Sequence, residues 1–443
     1  MSSSTSSRDD VTPVAGEIDP DYPIDPVPRH ARKSLFSLAI VLLGFTFFTP
    51  TMLAGAQIGA AFEVTTLIWV LVLGSAVLGV YVAAIGGIGA RTGLTTVMMC
   101  RYSLGTTGAK FASLLLGGTQ VGWYGVTVAT LAGLTASALD WSGRGAEIAL
   151  MVAGGAIMGV TAYFGYKGMY ALSVVSVPLL LVLAGWVTWR SLEEVGGWSG
   201  LTAIVPSETM TIAAAVTIVV GTFASGGTQA PNWTRFAKTP SAGFWACVVA
   251  FLIGELLMLG FGAIGAISFG EDDFVEVLFQ LGLVGWGLVF LVANLWTTND
   301  NTAYNFGVAG AEIANSRSKK PFVIGGVVLG TLLAITGIYD NLIEYLVWLG
   351  ILIPPLGGVV IGDFLARWRG GMPGTSTLPA VEWRNLAAYL VAAVAAWWSN
   401  EAGWFIPPVI GVVVAVAAVL AVQRGRRPAA EPAASRSGLS TPR

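Results

Sequence analysis

The chain has 443 residues, 55% hydrophobic and 11% charged, with a mean hydropathy of +0.74 and a formal net charge of −2. A water-soluble protein of this length carries about a quarter of its residues as charges, so this chain cannot cover itself in water and lipid is its expected solvent. Its charges lie in short loops, which argues against a nucleic-acid-binding patch, and two cysteines with one histidine leave almost no material for an enzyme's nucleophile and base or for a zinc site.

Residues 1–30 are polar, acidic and proline-rich, with Asp9, Asp10, Glu17, Asp19, Asp21 and Asp25. They read as a disordered cytoplasmic tail without a signal peptide. His30 stands among Arg29, Arg32 and Lys33 in a basic flank. A membrane helix needs roughly 20 apolar residues, and apolar runs fall at about 34–58, 65–88, 108–138, 145–164, 168–190, 211–234, 242–269, 280–312, 321–339, 341–362, 385–400 and 404–422, twelve in all. Residues 92–104, bounded by Arg91 and Arg101, are too few to span and are expected at the cytoplasmic surface. Cys100 and Cys247 read as small buried hydrophobes. Beyond Gln423, Arg424, Arg426 and Arg427 lead into Ala, Pro and Ser, a second disordered tail over 424–443. The membrane domain is thus expected at 31–423.

Loop charge orients these spans. If the N-terminus is cytoplasmic, even-numbered connections should be basic, and they hold Arg91, Arg101 and Lys110, then Lys167, Arg235 and Lys238, Arg317, Lys319 and Lys320, and Arg367, Arg369 and Arg384. Odd connections hold Glu193, Glu194, Glu271, Asp272, Asp273, Asp340 and Glu401, with Arg144 and Arg190 as exceptions. Both termini are therefore expected inside, in the cytoplasmic (inner) membrane.

Two spans carry helix-weakening clusters near their middles: Gly44 to Pro50 in the first, and Gly221 to Thr228 in the sixth. Glycine costs about 1 kcal/mol in a helix interior and proline about 3, and backbone freed at membrane depth must face protein or a cavity. The clusters lie five spans apart, which suggests two inverted repeats of five, about 34–190 and 211–362, with extra helices at 385–422. Matched broken helices point to the binding site of a secondary transporter. No filter motif or repeated charged pore position suggests a channel.

The eighth run holds the polar stretch 294–302 (NLWTTNDNT), and polar groups in lipid mark functional sites. The hydroxyls of Thr297 and Thr298, with carbonyls freed by the first break, suit sodium, which takes hard oxygen ligands. Asp300 is expected to be tied to neighbouring hydroxyls and amides, with a proton carrier or cation ligand as the alternative, and Glu255 has no evident role. In the third run Gln120 and Trp123 share a helix face. An indole stacks on a planar polar ring while an amide pairs with its edge, and Phe223 could close the other face.

Five motifs carry a family likeness: 43–48 (LGFTFF), 93–96 (GLTT), 114–125 (LLLGGTQVGWYG), 294–301 (NLWTTNDN) and 354–363 (PPLGGVVIGD). In this order they resemble the bacterial cytosine permeases of the nucleobase:cation symporter family, from about Pro28 to the end of the twelfth run. The resemblance implies an all-α LeuT-type fold of ten helices in two inverted repeats, helices 1 and 6 discontinuous, plus two more. It implies sodium-coupled import of cytosine by alternating access; no nucleic acid and no obligate protein partner are expected. By the same resemblance, the base would stack between Trp123 and Phe223, with Gln120, Thr222, Ser225 and Asn299 on its polar edge. Sodium, the coupling ion, would lie between the carbonyls of Gly44, Phe47 and Asn294 and the hydroxyls of Thr297 and Thr298. The chain departs from the pattern at Thr222, where the family carries Ser, and at Pro231-Asn232, where it carries Ala-Asp. Proton coupling, or cargo such as uracil, hydroxymethylpyrimidine or a hydantoin, is the alternative. Uracil reverses cytosine's donor and acceptor pattern, and amides such as Gln120 and Asn299 can flip to suit either.

Overall fold

In the computed structural model the described residues are 19–141, 143–271, 273–337, 342–372, 374 and 377–424. They form helices joined by short loops, apart from one isolated bridge between Lys33 and Ala237. Asp272, Asp340, most of the two expected tails, and with them Asp9, Asp10, Glu17, Arg426 and Arg427, lie outside the described residues.

The first apolar run is a bent pair, α1 (Leu35–Thr46) and α2 (Thr49–Ala61), turning through 60°. Ser34 caps α1 by accepting from the Ser37 N–H at 3.3 Å. At the bend Phe47 and Phe48 are extended (ψ 94° and 123°), and Pro50 falls in the first turn of α2, where its missing N–H is not needed. Next come α3 (Val64–Thr92), α4 (Thr96–Leu104), α5 (Gly108–Ala138), α6 (Arg144–Phe164), α7 (Tyr166–Glu194) and the short α8 (Gly197–Ala203). The sixth run is α9 (Ile212–Thr228), followed after Gln229 and Ala230 by α10 (Pro231–Thr234). The seventh is α11 (Pro240–Val248), joined to α12 (Glu255–Phe269) by a π-helical turn at Val249–Gly254. Then follow α13 (Phe274–Gln280), α14 (Val284–Ala314), α15 (Lys320–Ile335), α16 (Leu342–Asp363), α17 (Trp383–Glu401) and α18 (Pro407–Val422).

Among the described residues six helices are long and apolar enough to cross a bilayer, and the bent pair makes a seventh. The 31-residue α5 and α14 are long enough but diluted by glycines and polar side chains, while α15 and α18 are apolar but only 16 residues each. The protein is therefore a multi-pass membrane protein. Lipid-facing positions stay apolar and exposed, as at Trp69, Val80, Leu114, Val175 and Val182. Close helix approach rests on glycine: a Cβ at Gly55 would lie 2.1 Å from the Leu259 carbonyl, and one at Gly262 2.0 Å from the Met52 carbonyl, so α2 and α12 touch backbone to backbone.

Two expectations are corrected. Residues 92–104 do not lie on the surface: every residue of α4 except Arg101 is buried, because Val97, Met98, Met99, Tyr102 and Leu104 present apolar groups all round the helix. The tail expected over residues 1–30 is not free throughout either. Asp19 and Asp21 are 5% and 4% exposed, and the segment from Asp19 to Lys33 lies folded against the bundle. The cause is buried cations that need partners. Lys319 Nζ lies 2.8 Å from Asp21 and 3.3 Å from Asp19, and the Arg235 guanidinium donates to the carbonyls of Asp21 and Tyr22 at 2.5 and 2.6 Å and to the Tyr304 hydroxyl at 2.8 Å.

Candidate transport site

The site lies where the bend of α1–α2 meets α5, α9 and α14. The bend frees backbone oxygens toward α14. Thr298 Oγ1 is 3.2 Å from the carbonyl oxygens of both Phe45 and Phe47 and 3.3 Å from that of Asn294. Thr297 Oγ1 is 2.9 Å from the same Asn294 oxygen. A hydroxyl donates one proton, so three carbonyl oxygens converging on Thr298 leave lone pairs unmatched, the environment a hard cation takes. Asn294 also pins the bend through its side chain, accepting from the N–H and the hydroxyl of Thr49 at 2.7 and 2.9 Å. Gly44 stands at the edge of this cluster. A Cβ there would meet Ser173 Oγ at 2.4 Å and Thr297 Cβ at 3.5 Å, so no side chain fits. It is the Phe45 carbonyl, a residue the sequence reading passed over, that bonds Thr298.

Beside the cluster is an aromatic enclosure. Trp123 packs against Phe48 (ring centroids 5.4 Å apart, planes at 71°) and Tyr345 (5.5 Å, 64°). Phe223 packs against Phe48 at 6.1 Å and edge-on to Phe45 at 5.2 Å. Phe48 therefore stands between the two rings expected to sandwich the base, and it and Tyr345 are further site residues that sequence reasoning missed. Phe223 is where α9 leaves helical geometry (φ −125°, ψ 18°). The rest of the predicted second break stays helical, because Gly226 and Gly227 serve close packing: Cβ atoms there would lie 2.6 Å from Phe45 Cζ and 2.4 Å from Val82 Cγ2.

The polar wall is only partly as expected. Gln120 donates to Ser225 Oγ at 2.8 Å, and both are buried. Thr222 turns to another partner: its hydroxyl is 2.6 Å from the Val219 carbonyl and 2.6 Å from Glu255, a carboxyl group with 0% exposure whose second oxygen finds no hydrogen-bond partner among the described residues. Asn299 is not brought to Gln120; its amide donates to Met158 Sδ on α6 at 3.2 Å. The reason is helical phase. At about 100° per residue Asn299 is about 140° round α14 from Asn294, whereas Asn305 is about 20° from it, and Asn305 is the amide that reaches Gln120, at 3.3 Å. The 3.6-residue period sets Asn305 on the Asn294 face of α14 but does not say which helix that face meets. Asp300, on the same remote side of α14, accepts from the Asn301 amide at 2.9 Å. Among the described residues no cluster of His, Cys, Asp or Glu could hold a metal ion, so any cation held here rests on carbonyl and hydroxyl oxygens.

Comparison with known proteins places the chain in a family. Residues 26–420 match the family described as permeases for cytosine/purines, uracil, thiamine and allantoin. The chain is 37% identical over 382 residues to the cytosine permease of Escherichia coli K12, covering 86% of this chain and 90% of that one. It is 24% identical over 388 residues to the allantoin permease of Bacillus subtilis strain 168, at 78% and 79% coverage. Among solved structures it superposes with a TM-score of 0.77 on Mhp1, a nucleobase-cation-symport-1 family transporter in a closed conformation with bromovinylhydantoin bound (17% identity, 90% and 93% coverage). A sodium-coupled sialic acid symporter gives 0.65 (13% identity, 92% of both chains). At these identities the structural matches speak to fold alone, and that fold is the LeuT type.

Proposed function

Because the chain belongs to the family of permeases for cytosine/purines, uracil, thiamine and allantoin, and is a transporter rather than an enzyme, we propose that it imports cytosine with sodium by alternating access. The observation that carries this reading is the adjacency of two half-sites on one bend. Phe48 packs against both aromatic rings, while the carbonyls of Phe45 and Phe47 converge on Thr298. A planar ring stacks on Trp123 with Gln120 and Ser225 at its edge, and sodium is taken up as co-substrate among the Thr298 oxygens. Ordering the bend for one ligand orders it for the other, so each raises the other's affinity by the same factor. In this reading the domain crosses the cytoplasmic membrane twelve times over residues 31–423, both termini are cytoplasmic, and the segment Asp19–Lys33 closes the cytoplasmic side.

Binding of radiolabelled cytosine to the purified protein, in sodium and with choline in its place, tests this. Sodium-dependent binding displaced by cytosine but poorly by uracil or hydantoins is expected. Absence of cytosine binding in either salt overturns the cargo. A proton-coupled reading is favoured by one observation, the wholly buried Glu255 carboxyl bonded to Thr222 beside Phe223, which supplies the titratable group such coupling needs. Cytosine binding that ignores sodium, follows pH and is lost in Glu255→Gln would select it.

A further inference from the structure

On the outer side of α3, Ala76, Val80 and Ala84 follow one another at four-residue steps and open onto a groove of about 510 Å³. Its other walls are α16, through Ile361, and α18, through Pro408 and Val412. The lining residues are apolar apart from Tyr81, whose hydroxyl is turned inward to Thr228 at 2.5 Å. Val80 is 66% exposed, so the groove opens to the bilayer, and hydrocarbon is what fills an apolar space at that depth.

Charge at one end separates this groove from ordinary lipid-facing surface. At about 100° per residue, Arg91 falls on the α3 stripe between Val80 and Ala84 in phase. Its guanidinium donates to the Arg369 carbonyl at 2.8 Å and lies over the ring of Phe364, 5.7 Å from the centroid. Phe364 stands one helical turn beyond Ile361 of the groove wall. Arg424 follows the end of α18, and Arg384 donates to the Val422 carbonyl at 3.4 Å. All four arginines are exposed, and among the described residues none of them makes an ion pair. The acids beside them, Asp363 and Glu382, are already held by Arg367 at 2.5 and 3.3 Å.

We propose that this groove is a binding site for one anionic phospholipid, with an acyl chain lying along α3 and the phosphate held by Arg91 and Arg369. The length fits. At 1.5 Å per residue Arg91 stands about 22 Å along α3 from Ala76, and one leaflet with its headgroup zone is about 20–22 Å deep. The chemistry fits as well. A guanidinium offers a phosphate two parallel donors, and Arg91 is held in place by its carbonyl and ring contacts before any lipid arrives. A zwitterionic headgroup would bring its own cation to a cluster of unpaired arginines, whereas an anionic one leaves a net negative charge for them. The proposal does not depend on the cargo or the coupling ion. Its occupant nevertheless bears on the transport helices, because Val220 of α9 also lines the groove and Tyr81 is bonded to Thr228 at the end of α9.

The test is the melting temperature of the purified full-length protein in detergent, titrated separately with dioleoylphosphatidylglycerol, with dioleoylphosphatidylcholine and with glycerophosphoglycerol, the headgroup without chains. Native mass spectrometry of the same samples counts the lipids retained. Phosphatidylglycerol is expected to raise the melting temperature at lower concentration than phosphatidylcholine, and the headgroup alone is expected to do nothing. In the double variant Arg91→Ala, Arg369→Ala the phosphatidylglycerol concentration for half the shift should rise by about tenfold or more, since each cation near an anionic headgroup contributes about fivefold. Ala84→Phe places a ring in the groove from an exposed position and should remove one retained phosphatidylglycerol while the arginines stay. Equal effects of the two lipids on the wild type, or a full shift from the headgroup alone, would overturn the proposal. So would either variant behaving as wild type: an unaltered arginine variant removes the headgroup contact, and an unaltered Ala84→Phe removes the groove. If the arginine variant does not fold, Ala84→Phe decides the matter by itself.

Discussion

The indole of Trp123 is 5% exposed and packs T-shaped against Phe48 and Tyr345, and it is the ring on which the proposed base stacks. Stacking of a base on an aromatic side chain is worth about 1–3 kcal/mol. Trp123→Ala should therefore weaken cytosine binding by about tenfold to a hundredfold and leave the sodium dependence of what remains. Equilibrium binding in two salts checks both halves. Thr298 makes the opposite prediction. Its hydroxyl makes its hydrogen bonds to the backbone carbonyls of Phe45, Phe47 and Asn294. Thr298→Ala should abolish the gain in cytosine affinity on adding sodium while affinity in choline stays at the wild-type value; a retained sodium response would remove the cation from this position. Residue types alone could suggest Thr297, Thr298, Gln120 and Trp123, because hydroxyl pairs and an amide beside an indole are scarce inside lipid. They could not separate Asn299 from Asn305, since both are buried amides on one helix and only the packing of α5 and α6 against α14 says which faces which.

At the scale of single helices, the two interruptions differ in kind. Between α1 and α2 the chain is extended over two residues and bends by 60°, because Pro50 cannot continue the helix and Asn294 takes up the freed Thr49 N–H. In α9 the departure is confined to Phe223, and the glycines after it make room for neighbours. Gly226→Ala tests that distinction. Its Cβ would stand 2.6 and 2.7 Å from two carbons of the Phe45 ring, which is itself packed on Phe223, Trp233 and Phe251. Overpacking of this kind costs about 1–3 kcal/mol. The melting temperature in detergent should fall, and cytosine affinity should fall with it because Phe45 carries a site carbonyl; a variant with wild-type melting and affinity would mean the ring has room to move. The existence of both clusters was legible in the sequence. Their different shapes were not, because glycine serves bending and close packing equally and only the neighbour's position decides between them.

Across the whole molecule, the segment Asp19–Lys33 ties distant parts together. It reaches Gly93 after α3, Tyr166 at the start of α7, Arg235 and Phe236 beyond α10, and Lys319 before α15. Removing one partner of a buried ion pair costs about 3–5 kcal/mol because the other charge is left buried. Lys319→Met leaves Asp19 and Asp21 in that state and should release the segment. A cysteine placed at Val27, 3% exposed and bonded through its N–H to the Gly93 carbonyl, should then react faster with a maleimide than in the parent protein. An unchanged rate would mean Lys319 does not hold it. The sequence by itself determined the apolar spans, their order and the two places where helices weaken, because these follow from local hydropathy and from glycine and proline chemistry. The runs at 108–138 and 145–164 match α5 and α6 to within a residue. Only the tertiary structure decided that an acidic segment resembling a tail is drawn against the bundle, that α4 is buried and that Asn305 rather than Asn299 meets Gln120. Each of those outcomes depends on which groups distant in sequence are desolvated together, and a buried charge or amide takes whatever partner the fold sets beside it.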